Sequence, residues 1–113
     1  MSANDRIKII VVDKMLDMFR QVQTVFPRDA AEVFFDRTLE HALERFEEFT
    51  FDILILTGSV FKHQPDGTFE LLELIATKST ITQILFLIYP RDLPLVSSAL
   101  KAGSFQYAKL CPW

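Results

Sequence analysis

The 113-residue sequence is poor in three residue types that often shape small proteins. It contains 3 glycines, 5 prolines and a single cysteine, Cys111. Because Gly and Pro are few and 50% of the residues are hydrophobic, we do not expect long disordered segments. One cysteine excludes a disulfide within the chain and is typical of the reducing cytoplasm, where we expect this protein to be located.

The sequence also lacks long apolar runs and clusters of positive charge. Its longest apolar runs, 9–12 and 84–88, are too short to cross a bilayer, and no basic stretch precedes an apolar signal-peptide core. The 12 Lys and Arg residues are scattered along a chain whose net charge is -3. Because phosphate backbones are bound by clustered Lys and Arg, we expect neither nucleic-acid nor membrane binding by this segment.

Short apolar segments alternate with amphipathic ones along the chain. The predicted strands share runs of apolar residues and lie at 7–12, 32–35, 52–56, 84–88 and 106–110. Four helices are predicted from apolar residues at helical spacing. Two lie at 15–26 and 69–78, one begins after Thr38 as its N-cap, and one begins after Asp92. Residues 57–67 are predicted to form a loop that turns at Pro65–Asp66–Gly67.

This alternation of strands and helices predicts an α/β fold. Short strand–helix connections favour a parallel sheet that is covered by helices on both faces. Ligand and catalytic sites of such sheets lie beyond the carboxyl ends of the strands. The predicted ends are Asp13–Lys14, Thr57–Gly58, Ile88–Tyr89 and Leu110–Cys111.

Four segments, taken in order and spacing, resemble the receiver domains of two-component response regulators. They are "IKIIVVDK", "ALERFEEFTFDILIL", "DGTFELLELI" and "ALKAGSFQYAKLCP", and the resemblance covers essentially the whole chain. It implies phosphorelay signal transduction and a flavodoxin-like, doubly wound parallel five-stranded sheet with strand order 2-1-3-4-5. Receivers carry one more helix after the fifth strand, so the resemblance implies a missing or truncated final helix. We therefore expect 1–113 to be a single receiver-like domain from the N-terminal part of a longer regulator.

The resemblance also locates the positions where receivers carry out phosphoryl transfer. In that family two acidic residues after the first strand hold Mg²⁺, an Asp ending the third strand accepts the phosphoryl group, a Thr or Ser ends the fourth strand, and a Lys ends the fifth. The corresponding residues of this chain are Asp13, Lys14, Thr57, Ile88 and Leu110. Lys109 lies one residue before the last of these. Only Asp13 keeps the residue type of the family.

These departures remove the groups that the chemistry needs. Transfer to a receiver requires a carboxylate nucleophile and a divalent cation, and an isolated Thr57 hydroxyl without an adjacent base is a weak nucleophile. Asp13 beside Lys14 is a poor Mg²⁺ site, and Lys14 could itself neutralise Asp13. We expect no catalytic residue, no metal, no cofactor and no enzymatic activity. Thr57 is expected only to form a hydrogen bond, at its strand end or next to Lys14.

The remaining candidates concern protein contacts. Tyr107 matches the aromatic switch position of the family, but Ile88 has no hydroxyl to couple with it, so Tyr107 is either a half-buried edge-strand residue or a partner contact. Candidates for contact with a protein partner, or with a second copy in a homodimer, lie on the fourth-helix and fifth-strand face and comprise Leu95, Val96, Phe105, Tyr107 and Trp113.

The resulting hypothesis is a pseudo-receiver: a phosphorylation-independent signalling and protein-interaction module, which could serve as the regulatory domain of a transcriptional regulator. One alternative is a working phospho-receiver with Asp13 or Thr57 as an unusual acceptor. Another is a small flavodoxin-like binder of a nucleotide or flavin, which "DKMLDMF" at 13–19 disfavours because it offers no glycine to approach a phosphate. His41 and His63 are expected to be solvated rather than to bind metal.

Overall fold

A computed structural model describes residues 6–58, 60, 65–79, 81–88, 94 and 106–109, with the backbone alone described at 65–69, 76, 88 and 106–109. The strands are β1 (Ile7–Val12), β2 (Ala31–Asp36), β3 (Ile53–Thr57), β4 (Gln83–Ile88) and β5 (Gln106–Lys109). The helices between them are α1 (Asp17–Val25), α2 (Leu39–Arg45) and α3 (Pro65–Lys78).

The strands form one parallel sheet of five strands in the order β2-β1-β3-β4-β5. This confirms the predicted fold class and strand order, with β5 at an edge of the sheet. β1 lies inside the sheet between β2 and β3. Four consecutive residues of β1, 9–12, have no solvent exposure, as expected for a strand that is covered on both faces.

Each face of the sheet carries its own apolar core. One core joins Ile10, Val12, Leu54, Leu56 and Phe86 of the strands to Leu39 and Ala42 of α2 and Leu72 and Ile75 of α3. The other joins Ile9, Val11 and Ile55 to Met18 and Val22 of α1. Because alternate strand residues point to opposite faces, the odd and even positions of β1 separate cleanly between the two cores. The sheet is therefore doubly wound, as predicted.

An aromatic cluster fixes α2 against the start of β3. Phe51, which is completely buried, packs its ring 5.2 Å from Phe34, 5.0 Å from Phe46 and 6.1 Å from Phe49, measured between ring centroids. Edge-to-face and tilted pairs of this kind add stabilisation beyond the apolar area that they bury. The cluster lies at the amino end of β3 and holds the scaffold, away from the strand end that carries Thr57.

Helix starts show where the sequence-based prediction succeeded and where it was wrong. Thr38 is the N-cap of α2, and its Oγ1 accepts a hydrogen bond from the backbone N–H of His41 at 3.2 Å. The predicted turn at Pro65–Asp66–Gly67 was wrong, because these residues form the first turn of α3. A proline at the first helical position loses no hydrogen bond, since that N–H has no partner within a helix anyway.

Two further observations concern the extent of the elements. Apart from Pro94, the helix predicted after Asp92 lies outside the described residues. In the part of the chain that the structure describes, no helix combines the length and hydropathy needed to span a bilayer.

Candidate functional site

The carboxyl ends of β1 and β3 bring two predicted site residues together. Val12 of β1 pairs with Leu56 of β3. The residues that follow them, Asp13 and Thr57, therefore lie side by side at the carboxyl ends of the strands, which we call the Thr57 edge. The backbone N–H of Asp13 donates to the carbonyl of Asp36 at 3.2 Å, which extends the hydrogen bonding between β1 and β2 by one residue. Asp13 is therefore held by the sheet on the side of β2 and faces Thr57 on the side of β3.

A buried hydrogen bond joins these two side chains. The hydroxyl Oγ1 of Thr57 donates to Oδ1 of Asp13 at 2.7 Å. Asp13 is 8% exposed and Thr57 is 5% exposed. A buried carboxylate is costly unless polar donors surround it, and Thr57 supplies one such donor. The prediction that Thr57 forms a hydrogen bond at its strand end is confirmed, and Asp13 is the acceptor.

This contact corrects one sequence-based expectation. Thr57 was expected to have no adjacent base, but a carboxylate oxygen lies within hydrogen-bond distance of its hydroxyl. A positioned carboxylate is a group that can accept a hydroxyl proton during phosphoryl transfer. The geometry therefore supplies a base, while the burial of Thr57 restricts the access of any phosphoryl donor.

Lys14 does not fill the role that the sequence suggested for it. The ion pairs among the described residues join Arg6 to Glu32, Arg45 to Asp36, and Lys78 to Glu47. Lys14 is half-buried and takes part in none of them. Within the described part of the chain Lys14 therefore forms no ion pair with Asp13, and Thr57 is one side chain that contacts the carboxylate.

The ends of β4 and β5 complete the edge. Thr57 pairs with Leu87, while Ile88 lies one residue farther along and pairs with Lys109 of β5. Position 87 and position 88 are both aliphatic, so neither can provide the hydroxyl that ends the fourth strand in receivers. Leu110 lies outside the described residues, and the backbone register shows that Lys109 ends β5 beside Ile88.

Another acidic residue near this edge is already paired. Asp36 ends β2, and its Oδ2 accepts a hydrogen bond from Nε of Arg45 at 2.6 Å. The guanidinium of Arg45 also lies over the ring of Phe34, 5.5 Å from its centroid. Among the residues that the structure describes, no group of three His, Cys, Asp or Glu side chains could hold a metal ion.

Comparison with known proteins finds similar structures but no similar sequence. No family model and no curated protein sequence matches the chain. Solved structures do match. A response regulator from Thermotoga maritima has a TM-score of 0.76 at 18% identity, over 96% of this chain and 87% of that one. The signal receiver domain of an HD domain-containing protein from Pseudomonas fluorescens Pf-5 has a TM-score of 0.76 at 23% identity, over 96% and 79%.

The chain has the receiver fold. A third match of this fold is a response regulator from Burkholderia pseudomallei, solved with a phosphorylated aspartic acid and a calcium ion, with a TM-score of 0.70 at 14% identity over 95% of this chain and 61% of that one. Its name records an aspartate as the modified residue. In the present chain, the residue that ends β3 is Thr57.

The predicted interaction face of this receiver fold is only partly described. Tyr107 lies in β5, the edge strand, and pairs with Phe86 in the register of the sheet. Leu95, Val96, Phe105 and Trp113 lie outside the described residues, as do His63 and Cys111. His41 is exposed on α2, where its backbone contributes to the helix cap. The role of this face in binding stays a prediction.

Proposed function

We propose that this receiver-fold chain is a signalling and protein-interaction module that works without aspartyl phosphorylation. The observation that carries the proposal is the 2.7 Å hydrogen bond between Thr57 and Asp13, which stands where a receiver would present its acceptor carboxylate and one of its Mg²⁺ ligands. A hydroxyl replaces the nucleophile, and the hydroxyl is bonded to the remaining carboxylate.

The chemistry of the surrounding positions supports this proposal. Phosphoryl transfer to a carboxylate depends on a divalent cation that neutralises the phosphoryl oxygens, and Mg²⁺ prefers several oxygen ligands. At this edge Asp13 is bonded to Thr57, and Asp36 is bonded to Arg45. Leu87 and Ile88 offer no hydroxyl to orient a phosphoryl group. The module would therefore have neither a resident metal nor another cofactor, and no enzymatic activity.

Its output would come from association. We propose that a protein partner or a second copy binds the face that includes β5, with Tyr107 as a contact, and that the protein acts in the cytoplasm. Proteins with this fold include one named as a response regulator and one named as an HD domain-containing protein, so the fold alone does not select an effector. A role in transcription regulation is proposed only from the resemblance to response regulators.

The contact between Thr57 and Asp13 also favours a second candidate. Asp13 could accept the proton of the Thr57 hydroxyl while the threonine takes a phosphoryl group, as a catalytic aspartate does for a substrate hydroxyl in kinases. This would make the chain a phospho-receiver with a threonine acceptor. It ranks second because Thr57 is 5% exposed and would have to open to meet a donor.

One experiment separates the two candidates. The chain is incubated with acetyl phosphate and Mg²⁺, and its intact mass is measured before and after treatment with hydroxylamine, beside a working receiver as reagent control. The proposal predicts no added phosphate. A phosphate that resists hydroxylamine and disappears in the Thr57→Val variant would establish the second candidate. A hydroxylamine-labile phosphate that disappears in Asp13→Asn would mean that Asp13 is an aspartyl acceptor, and the proposal would be wrong.

The interaction part of the proposal has its own measurement. Sedimentation of the 113-residue chain over a range of concentrations reports self-association, and the Tyr107→Ala variant tests the β5 face. If the face joins two copies, the variant dissociates at concentrations where the parent chain is dimeric. A parent dimer that Tyr107→Ala leaves unchanged would contradict the assignment of this face.

A further inference from the structure

A second feature lies at the opposite end of the sheet. A groove of about 510 Å³ opens between the C-terminal half of α1 and the first residues of β2, beside the residue that precedes β1. Its lining includes Arg6, Arg20, Gln23, Phe26, Arg28 and Glu32. These residues are distant in sequence, and the fold gathers them because α1 runs back along the sheet to the amino ends of β1 and β2.

The groove is positively charged although the chain as a whole is acidic. Three arginines and one glutamate line it, which leaves an excess of two positive charges in a chain of net charge -3. Nη2 of Arg6 lies 3.6 Å from Oε1 of Glu32, and Nη1 of Arg6 donates to the carbonyl of Arg28 at 3.2 Å. Glu32 is thus already engaged by one of the three arginines.

Two guanidinium groups remain for a ligand. Arg20 and Arg28 are exposed and form no ion pair with any of the residues that the structure describes. Both line the groove, one on α1 and one on the turn that leads into β2. Arginine offers a planar fork of donors that matches a carboxylate, so two arginines that line one groove suit a chain that carries more than one carboxylate.

The lining of the groove favours one class of anionic ligand. Sites for small ligands usually enclose most of the ligand surface. Here Arg20, Gln23 and Arg28 are exposed, while Phe26 and Val33 add half-buried apolar surface to the lining. Exposed arginines beside half-buried apolar surface fit an extended segment that offers both carboxylates and an apolar group, better than they fit an isolated phosphate.

We propose that this groove is a docking site for an acidic segment of a partner protein, with Arg20 and Arg28 binding its carboxylates and Phe26 contacting an adjacent apolar group. The inference goes beyond the proposed function, since the groove lies away from the Thr57 edge and from β5. Its outcome does not depend on whether Thr57 accepts a phosphoryl group.

The test uses the 113-residue chain and two fluorescein-labelled probe peptides. One peptide alternates Glu with Ser, and the matched peptide carries Gln in place of each Glu. Because the chain is negatively charged overall, it should repel the Glu peptide unless a local cationic site binds it. We expect the anisotropy of the Glu peptide to rise with protein concentration, to fall again as salt is added, and to stay flat for the Gln peptide.

Matched arginine variants locate the site. The double variant Arg20→Gln/Arg28→Gln should weaken binding of the Glu peptide about tenfold, which corresponds to two exposed charge contacts. Arg37→Gln removes the same charge from an exposed arginine outside the groove and should change the affinity by less than about twofold. Circular dichroism checks that each variant is folded, and the two single variants replace the double variant if it is not.

Several results would overturn the proposal. No binding of the Glu peptide at about 1 mM protein would do so, since contacts of this kind should reach that affinity. Equal binding of the Gln peptide would mean that charge does not select the ligand. An equal loss in Arg37→Gln would mean that total charge, rather than the groove, attracts the peptide. Displacement of the Glu peptide by micromolar ATP or pyrophosphate would identify a small-anion site instead.

Discussion

Replacement of Thr57 by valine tests the hydrogen bond on which the proposed function depends. Valine keeps the shape of threonine and suits a strand, but it cannot donate to Oδ1 of Asp13. A hydrogen bond to a charged group contributes about 1.5–3 kcal/mol net. The 2.7 Å distance is typical of an O–H···O hydrogen bond, and both residues are buried, so solvent screening reduces the contribution of the bond little. Asp13 keeps further contacts, which places the expected loss near 1.5–2 kcal/mol.

A double-mutant cycle isolates the bond from the other consequences of each substitution. Thr57→Val, Asp13→Ala and the double variant are unfolded with urea, and the free energy of unfolding is taken from far-UV circular dichroism. We expect the double variant to lose about 1.5 kcal/mol less free energy of unfolding than the two single variants lose together, because each single variant already breaks the same bond. Thr57→Ser keeps the hydroxyl and serves as the matched control, which should lose only the contribution of one methyl group.

The size of the coupling decides whether the reasoning holds. A coupling energy below about 0.3 kcal/mol is what independent residues show. That value would mean that the Thr57 hydroxyl does not stabilise the Asp13 carboxylate, and the observation that carries the proposed function would lose its energetic meaning. A stabilising Thr57→Val single variant would lead to the same conclusion.

Three further predictions concern the scaffold. Phe51→Ala should lower the free energy of unfolding by about 3–5 kcal/mol in urea titration, with Phe51→Leu losing much less, because the ring is completely buried in the aromatic cluster. Thr38→Ala should lower it by about 1 kcal/mol while Thr38→Ser is near neutral, and equal effects would contradict the observed cap on the His41 amide. Arg45→Ala should cost about 1–2 kcal/mol, and a cycle with Asp36→Asn should show coupling that decreases with added salt.

Much of the fold could be predicted from the sequence because its strands are so apolar. The segment 7–12 indicates a strand covered on both faces, and β1 has that position between β2 and β3. Strand order came from the resemblance to receivers, since composition and periodicity alone do not determine it. The cap at Thr38 followed from residue type, because a hydroxyl just before an apolar periodic segment is a strong local signal.

The start of α3 could not be predicted in this way. Pro65, Asp66 and Gly67 are each common in turns, so a local reading favours a turn. Proline is equally suited to the first turn of a helix, and one glycine costs a helix only about 1 kcal/mol. The buried residues Leu72 and Ile75 anchor the same helix to the sheet, and this tertiary packing exceeds the local preference.

The candidate site was likewise predictable from the sequence only in part. The sequence placed Asp13 and Thr57 at strand ends, but their contact across 44 residues depends on β1 and β3 being neighbours in register. The sequence does not predict the arginine groove, because Arg6, Arg20 and Arg28 are separated along a chain whose basic residues look scattered. Only the fold brings their side chains to one surface.

The geometry of the Thr57 edge connects two departures from the receiver pattern that the sequence presents as separate. A carboxylate at the end of β3 would lie beside the Asp13 carboxylate, and two such charges in a buried site repel each other unless a cation lies between them. A hydroxyl at the same place reverses the interaction, because it donates to Asp13 without adding charge. Under the proposed function, a hydroxyl instead of a carboxylate at this position would leave no carboxylate acceptor at the end of β3 and would lessen the electrostatic need for a divalent ion. On the same proposal, Lys14 at the second acidic position and the aliphatic residues at 87 and 88 would stand where no metal ion or phosphoryl group has to be held.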